Sequence, residues 1–446
     1  MPKSSQVSFI RNTKFRGGIN FPQNEKQVTR ESPIDAAPIP RRLRVDLLRS
    51  RSGQSRPVVV PTQHIDAGER IAEGRGGAVP VFAPLSGTVR SIDPLVVEGI
   101  VASAAICIDV DDNQAAPQTM KPMVGPCDRA EIIARLMAAG VVEMSPRRAA
   151  LGPLLDHIHS AAAGQESTVV LAAVQSEPYL TADQGLLVDK TAEVIDGLHL
   201  LAVGCGNARR YLTLDDSDEQ MIDLVDAYDL EGIEAVAIPV VYPQGHPMLL
   251  LKALFDVKVD PRQDGLDVAA LVVNPSTAFA VHEAVRAGRP QTKRVITLAG
   301  DGVLSPRNMW AYLGTPAESF LSVTQLEDGI NRMIFGGPLT GIAVTDMAAP
   351  LTAATSALLL FRNVPYDQPV ACIRCGWCID QCPVGISPAM LHEYAESPRS
   401  LDQHQINRQK PDLCIDCGLC SFVCPSHLPL LESVQRMREE QRAASD

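Results

Sequence analysis

The chain has no apolar stretch of the roughly 18 to 20 residues that a membrane-spanning helix requires. Its nearest approach, Met347–Phe361, is broken by two Thr, a Ser and a Pro and ends at Arg362, so it is expected as buried core. Residues 1–20 hold no apolar run of signal-peptide length. No signal peptide is therefore expected, and the cysteines are expected to stay reduced. Cations are short, 40 Lys and Arg against 52 Asp and Glu, and only 4% of residues are aromatic. Both shortages argue against a nucleic-acid partner, which wants clustered cations and stacking platforms. Missing too are the H-E-x-x-H zinc helix, the G-x-S-x-G elbow and the G-x-x-x-x-G-K-[ST] phosphate loop, so protease, hydrolase and NTPase readings fall away. His64, His157, His159, His246 and His282 are scattered and are expected at the surface or hydrogen-bonded. Gly204-Cys205-Gly206-Asn207 is only a fragment of a dinucleotide fingerprint.

What remains is ordinary globular material, 46% hydrophobic and 21% charged over 446 residues, enough for about three domains. Residues 1–37 are polar and Pro-interrupted, more an arm than a domain. Arg41–Arg56 sets six Arg against the single Asp46, either a solvated loop or a docking patch for an acidic partner or lipid. From Pro57 to Asp112 short β-branched runs alternate with turn residues, which predicts a small β-barrel. The turn at Pro84–Val89 is similar to the hairpin of lipoyl and biotinyl carriers, but no Lys is there to be modified.

Between 128 and 262, amphipathic stretches (Arg129–Ala139, Asp215–Tyr228) alternate with buried strands (Thr168–Ala173, Ala235–Val241). That alternation predicts an α/β layer with a mainly parallel sheet. Residues 264–322 suit a small mixed α+β module, and Gly336-Gly337-Pro338 opens a connector. Leu428–Arg442 is amphipathic, with Leu430, Leu431, Val434 and Met437 on one face.

Cysteine is the residue in excess: eleven, of which eight lie in the last 75 positions. They form Cys372-x₂-Cys375-x₂-Cys378-x₃-Cys382-Pro383 and Cys414-x₂-Cys417-x₂-Cys420-x₃-Cys424-Pro425. Both match the bacterial ferredoxin pattern for [4Fe–4S] clusters, in which the fourth Cys of each motif ligates the other cluster. One set is then Cys372, Cys375, Cys378 and Cys424, the other Cys414, Cys417, Cys420 and Cys382. Zinc would pair C-x₂-C units across a dozen or more residues instead. Gly376 and Gly418 are expected to relieve bulk inside the loops, and Trp377 and Phe422 to exclude water. Cys107, Cys127 and Cys205 are isolated, and lone cysteines are most often small buried residues.

With these motifs the sequence resembles the C subunit of the Rnf ion-translocating electron-transport complex. The resemblance rests on Gly17-Gly18-Ile19 near Pro22, Gln63-His64-Ile65, Ala83–Val89, Glu177-Pro178-Tyr179-Leu180-Thr181-Ala182-Asp183, Tyr242-Pro243-Gln244-Gly245, Gly314-Thr315-Pro316, Gly336–Gly341 and the double cluster tail. It implies a multidomain α/β and α+β chain. After an arm (1–37) come an N-terminal β-barrel of the barrel-sandwich hybrid type (38–118) and an α/β domain like the flavoprotein subunit of respiratory complex I (125–262). A β-grasp domain (263–325), a connector (326–368) and a C-terminal ferredoxin-like two-cluster helical domain (369–446) follow. It also implies FMN and NADH as cofactors beside two [4Fe–4S] clusters, with Glu177, Tyr179 and Asp183 at the flavin site. The implied partners are other subunits of a membrane redox complex and a redox donor or acceptor protein, and the implied position is peripheral, on the cytoplasmic side of the inner or plasma membrane.

The family carries a glycine-rich flavin loop where this chain has Val142-Glu143-Met144-Ser145-Pro146-Arg147-Arg148-Ala149-Ala150. Side chains there fill space that a ligand would need against bare backbone. Ala172, Gln175 and Ser176 depart from the family pattern as well. Arg147 and Arg148 could instead hold a phosphate, though a flat ring would still meet bulk. One expectation is therefore an electron relay without its own nucleotide site. The alternatives are an intact FMN-dependent NADH dehydrogenase subunit and a soluble flavoprotein of the cobalamin-reductase kind.

Overall fold

A computed structural model describes residues 6–21, 25–50, 52–97, 100–260, 265–365, 367–396 and 403–443. Pro22 and Arg51, quoted above, lie outside them. The N-terminal arm does not hang free. Its strand β1 (Val7–Phe9) forms the edge of a sheet far along the chain, and α1 (Gln27–Arg30) follows. Between them Gly18 N–H donates to Gln381, and Ile19 bridges Tyr242.

The barrel comprises β2 (Arg42–Asp46), β3 (Arg56–Pro57), β4 (His64–Ile65), β5 (Arg70–Glu73), β6 (Val81–Phe82), β7 (Gly87–Val97) and β8 (Ile100–Val110). Two sheets, ordered β2-β8-β7-β4 and β3-β5-β6, enclose Leu43, Val45, Ile65, Ile71, Val89, Ile106 and Ile108. The arginine run is divided rather than one loop or one patch: Arg41, Arg42 and Arg56 are exposed, whereas Arg49 is buried. Strand alternation turns Leu43 and Val45 inward, while Arg42 pairs with Asp109 at 2.9 Å and Arg44 with Asp346 at 3.5 Å. Arg49 is buried and donates to Gln291.

The α/β layer runs α2 (Arg129–Ala138), α3 (Leu151–Ala161), β9 (Thr168–Ala172), α4 (Ala182–Asp189), α5 (Thr191–Gly204), β10 (Arg209–Asp215), α6 (Glu219–Ala227), β11 (Ile233–Ile238), α7 (Pro247–Phe255), β12 (Ala270–Val273) and α8 (Pro275–Val285). Its all-parallel order is β1-β11-β10-β9-β12. Local signals set the helix starts: Asp128 and Glu131 form a capping box on α2, and Asn274 caps α8 ahead of Pro275. Helix α6 begins at Glu219 rather than at 215, because Asp215 completes β10 and Asp218 is the cap. The boundary expected at 262 does not follow the sheet. β12 hydrogen-bonds to β9, and α8 packs so closely on α5 that a Cβ on Gly197 would strike the Ala278 carbonyl.

A second sheet contains β13 (Lys293–Ala299), β14 (Arg307–Tyr312), α9 (Ala317–Leu321) after it, then β15 (Ile330–Phe335), β16 (Ile342–Ala343) and β17 (Ala357–Arg362). Its order is β14-β13-β17-β15-β16, with β13 and β17 parallel in the middle and the other pairs antiparallel. This is the β-grasp arrangement, and it spans 293–362. Residues 326–368 are therefore no connector: they supply three of its five strands, including the central β17.

The tail holds α10 (Trp377–Asp380), α11 (Pro388–Ala395), α12 (Gln403–Gln409), α13 (Leu419–Phe422) and α14 (Leu430–Ala443). Leu430, Val434 and Met437 of α14 are buried against the cysteine loops, as its periodicity predicts. Among the described residues no helix is long and apolar enough to cross a membrane.

Candidate functional site

Each cysteine motif runs from an extended loop into a single helical turn. Gly376 caps α10 with φ +84° and Gly418 caps α13 with φ +74°, so the left-handed backbone, rather than bulk alone, calls for glycine. At Gly418 contact adds to this, since a Cβ would run into the Leu339 carbonyl. The thiols sort across the motifs. Burial pushes the Cys378 thiol up, and its like-sign neighbours are Cys424, Cys375 and Cys372. Burial likewise pushes Cys417 and Cys420 up to about 12, with Cys382 among the neighbours of both. Cys382, Cys414, Cys417 and Cys420 line one cavity of about 330 Å³, mouth included, whose other walls include Ile386, Leu419 and Val434. Among the described residues no group of His, Cys, Asp or Glu is gathered tightly enough for a single metal ion. Four thiols around a wider apolar space instead suit a thiolate-ligated [4Fe–4S] cube.

The two thiol sets differ in surroundings. Around the second, the Tyr242 hydroxyl donates to the Cys417 carbonyl at 2.5 Å, Arg438 donates to the Cys414 carbonyl at 3.2 Å, and Arg438 pairs with Asp416. Around the first, Cys372 and Cys375 are exposed beside Ile373 (66% exposed) and Trp377 (55%). Trp377 and Phe422 (58%) do not seal the loops against water as expected. Phe422 instead meets Phe21 of the arm edge-on, with ring centroids 5.6 Å apart.

The three residues expected at a flavin are occupied by the protein itself. The buried Glu177 carboxylate accepts from the main-chain N–H groups of Leu339 (2.7 Å) and Thr340 (2.9 Å) and from the Thr340 hydroxyl (2.8 Å). Burial raises its pKa, and those hydrogen bonds oppose the rise. Glu177 thus fixes the 337–341 loop whose Leu339 packs on Gly418. Asp183 accepts from Ser276 N–H at 3.0 Å and from Asn274 at 3.3 Å, securing the start of α8. Tyr179 stands edge-on to Phe361 at 5.4 Å.

Ligands of open parallel sheets bind outside the carboxyl ends of the strands, and here that crevice is filled. Glu143 and Arg147 form a two-point ion pair (2.5 and 2.6 Å), Arg148 donates to the Leu48 carbonyl at 3.1 Å, and Met144 N–H donates to Thr277. Arg147 is thus paired with Glu143, while Arg148 faces the barrel at Asp46 and Leu48. From the arm, Lys26 is buried and donates to the Gln175 carbonyl just past β9. Burial lowers its pKa to about 8, while Asp215, at the end of β10, is raised to about 6 by burial and held back chiefly by Lys26. Arg30 approaches Asp218 at 3.7 Å, and Gln184 donates to Asp215 at 3.0 Å. These side chains stand at the carboxyl ends of the strands, where a ligand of an open parallel sheet would approach.

Motif reading passed over Lys26 and, although it marked Tyr242, gave its hydroxyl no role. Each acts on a partner more than 140 positions away, and no local pattern announces that. Of the lone cysteines, Cys205 is buried as expected, whereas Cys107 and Cys127 are half-buried, beside Asp93 (3.3 Å) and Arg286 (3.3 Å). His64 pairs with Asp111, His282 with Asp196, and His246 caps α7. Gly204–Asn207 closes α5, with Gly206 and Asn207 left-handed.

Three family models match the chain: the RnfC barrel sandwich hybrid domain over residues 13–113, the Nuo51 FMN-binding domain over 150–283, and a 4Fe-4S dicluster domain over 371–429. Curated relatives, each the C subunit of an ion-translocating oxidoreductase complex, are similar along most of the chain. That of Erwinia tasmaniensis is 31% identical over 394 residues, 85% of this chain and 48% of its own length. That of Serratia proteamaculans is 28% identical (85% and 55%), and that of Rhodobacter capsulatus 27% (86% and 75%). The chain thus spans about half the length of the first two relatives.

Proposed function

The chain is an RnfC-like protein, and on that premise we propose that it carries single electrons through two [4Fe–4S] clusters as one component of a membrane-associated ion-translocating oxidoreductase. The observation that carries this reading is the sorting of eight thiols into two sets across the motifs, four of them around one apolar cavity. Cys372, Cys375, Cys378 and Cys424 would hold one cluster, and Cys382, Cys414, Cys417 and Cys420 the other. Such clusters exchange one electron at a time. The protein's part is to fix their separation and surroundings. Tyr242, Arg438 and the Glu177-bound loop hold the second thiol set rigid, whereas the exposed rim at Cys372 and Cys375 is the port through which a redox partner protein exchanges electrons. The chain would sit peripherally against the membrane-embedded members of the complex, on the cytoplasmic side.

The filled crevice favours a relay without its own flavin or NADH site. The Nuo51 FMN-binding match over 150–283 favours the second reading, an FMN-dependent NADH dehydrogenase subunit. Anaerobic purification followed by flavin analysis and NADH titration separates them. The relay is expected to contain about eight irons, four per cluster, to lack stoichiometric flavin, and to bleach with dithionite but not with NADH. One FMN per chain with rapid bleaching by NADH would establish the second reading instead.

A further inference from the structure

A separate cavity lies where the barrel meets the β-grasp sheet. It measures about 240 Å³ with its mouth, and its walls include Val45, Asp46, Arg49, Arg148, Gly314 and Thr352. Arg49 (5% exposed) and Arg148 (3%) are both buried beside Asp46, so two guanidinium groups share that carboxylate. Asp46 is partly engaged elsewhere, accepting from Leu48 N–H at 2.7 Å and the Ser103 hydroxyl at 2.8 Å, while Arg148 reaches it at 3.5 Å. Arg49 donates through one terminal nitrogen to Gln291, at 2.7 Å to the main-chain oxygen and 3.2 Å to the side-chain oxygen. Its Nε–H has no acceptor among the described residues. Nearby, the fully buried Arg294 donates to the carbonyl of Ala353, another wall residue, and its Nη2 also lacks an acceptor among them. The buried hydroxyl of Thr315, next to Gly314, is likewise unpartnered among the described residues.

Orphaned buried donors are rare because they forfeit hydrogen bonds made in water. One such donor, the Arg49 Nε–H, belongs to a wall of this cavity, where Arg148 adds a second guanidinium. A water would supply an acceptor but no charge, whereas an anion supplies both. Burial lowers Arg49 to about 10, which leaves it cationic at neutral pH. The space admits an occupant about the size of one water molecule, which fits a halide and is too small for phosphate or a carboxylate. We propose that this cavity binds a small monovalent anion of the chloride class, held by the guanidinium groups of Arg49 and Arg148, and that the anion pins the barrel to the β-grasp sheet.

Bromide is the probe. Crystals of the full-length protein grown in bromide should show an anomalous peak in contact with the Arg49 guanidinium. At constant ionic strength, replacing gluconate with chloride or bromide should raise the unfolding midpoint saturably. Arg49→Gln should weaken that halide response at least tenfold, and Ala353→Leu, which fills the cavity and keeps both arginines, should abolish it. An empty anomalous map overturns the proposal whatever the midpoints do, and so does a midpoint indifferent to halide; in either case the cavity holds water alone. Should Arg49→Gln fail to fold, the wild-type diffraction experiment still decides.

Discussion

The hydroxyl of Tyr242 donates to the main-chain carbonyl of Cys417 across 2.5 Å, tying the loop after β11 to the heart of the second cysteine motif. Burial holds the phenol's pKa far above its usual value, so the proton that makes this bond stays in place at any working pH. The same ring meets Phe21 of the arm, and Phe21 meets Phe422 within the motif. Three distant stretches of sequence converge there.

Tyr242→Phe keeps the ring and removes the donor. The Cys417 carbonyl is then left unsatisfied, which should cost about 1–3 kcal/mol of stability. Losing the positive end of the O–H dipole should also lower the midpoint potential of the nearer cluster, leaving the other unchanged. Potentiometric titration followed by electron paramagnetic resonance reads both clusters. Equal shifts in the two would contradict a local tie.

Ligand sharing makes an unusual genetic prediction. Cys382→Ser should remove the same spectroscopic signal as Cys414→Ser, although its sequence neighbours belong to the other set. Cys424→Ser should match Cys372→Ser and Cys375→Ser. If Cys382→Ser instead abolished the signal lost in Cys375→Ser, each motif would serve its own cluster.

Gly337→Ala places a methyl group on the Glu177 carboxylate, which has no room to retreat from its three bonds to Leu339 and Thr340. The variant should lose on the order of 2–3 kcal/mol, comparable to overpacking a core, and should expose the 337–341 loop to proteolysis. Unchanged cleavage and an unchanged denaturation midpoint would show that Glu177 does not hold that loop.

Lys26 and Asp215 predict a stability profile with pH. Folded Asp215 keeps its proton up to about 6, against 3.8 unfolded, so its favourable contribution is full below pH 3.8 and lost as pH rises through 6. Lys26 releases its proton near 8 instead of 10.5, so its contribution is full above pH 10.5 and lost as pH falls through 8. Between about 6 and 8 both are charged and depend on each other. Lys26→Met should therefore flatten the rise between pH 8 and 10.5 and cost about 3–5 kcal/mol at pH 7, as expected when one buried partner is removed. Adding Asp215→Asn should recover most of that loss. Urea titrations across the pH series measure both effects.

The dicluster domain could be read from sequence because ferredoxin loops fix the spacing of their thiolates within a few residues. The parallel layer was legible for a related reason: its strands are short buried runs separated by amphipathic helices. The β-grasp sheet was expected through the resemblance but not its extent, since β13 and β17 are adjacent only in space, and an apolar run carries no record of its partner. Charge misled in the same way. Of the arginines of 41–56, Arg42 and Arg44 find carboxylates at Asp109 and Asp346, far along the chain, and only Arg49 is buried among the described ones. Residues 142–150 depart visibly from the family's glycine-rich loop, but that Lys26 of the arm reaches the Gln175 carbonyl just past β9 could be seen only in three dimensions.

The arm has a consequence for synthesis. Gly18 binds Gln381 and a side chain at Gly17 would collide with the same residue, so a segment ahead of the barrel is finally seated by one synthesised about 360 residues later. Closing a loop of about 360 residues is entropically dear but grows only slowly with length, so the delay is a matter of order rather than of energy. The barrel and both sheets, β1 included, can assemble before the tail is made, and the Gly17–Ile19 stretch reaches its final place only once the cysteine-bearing tail has emerged.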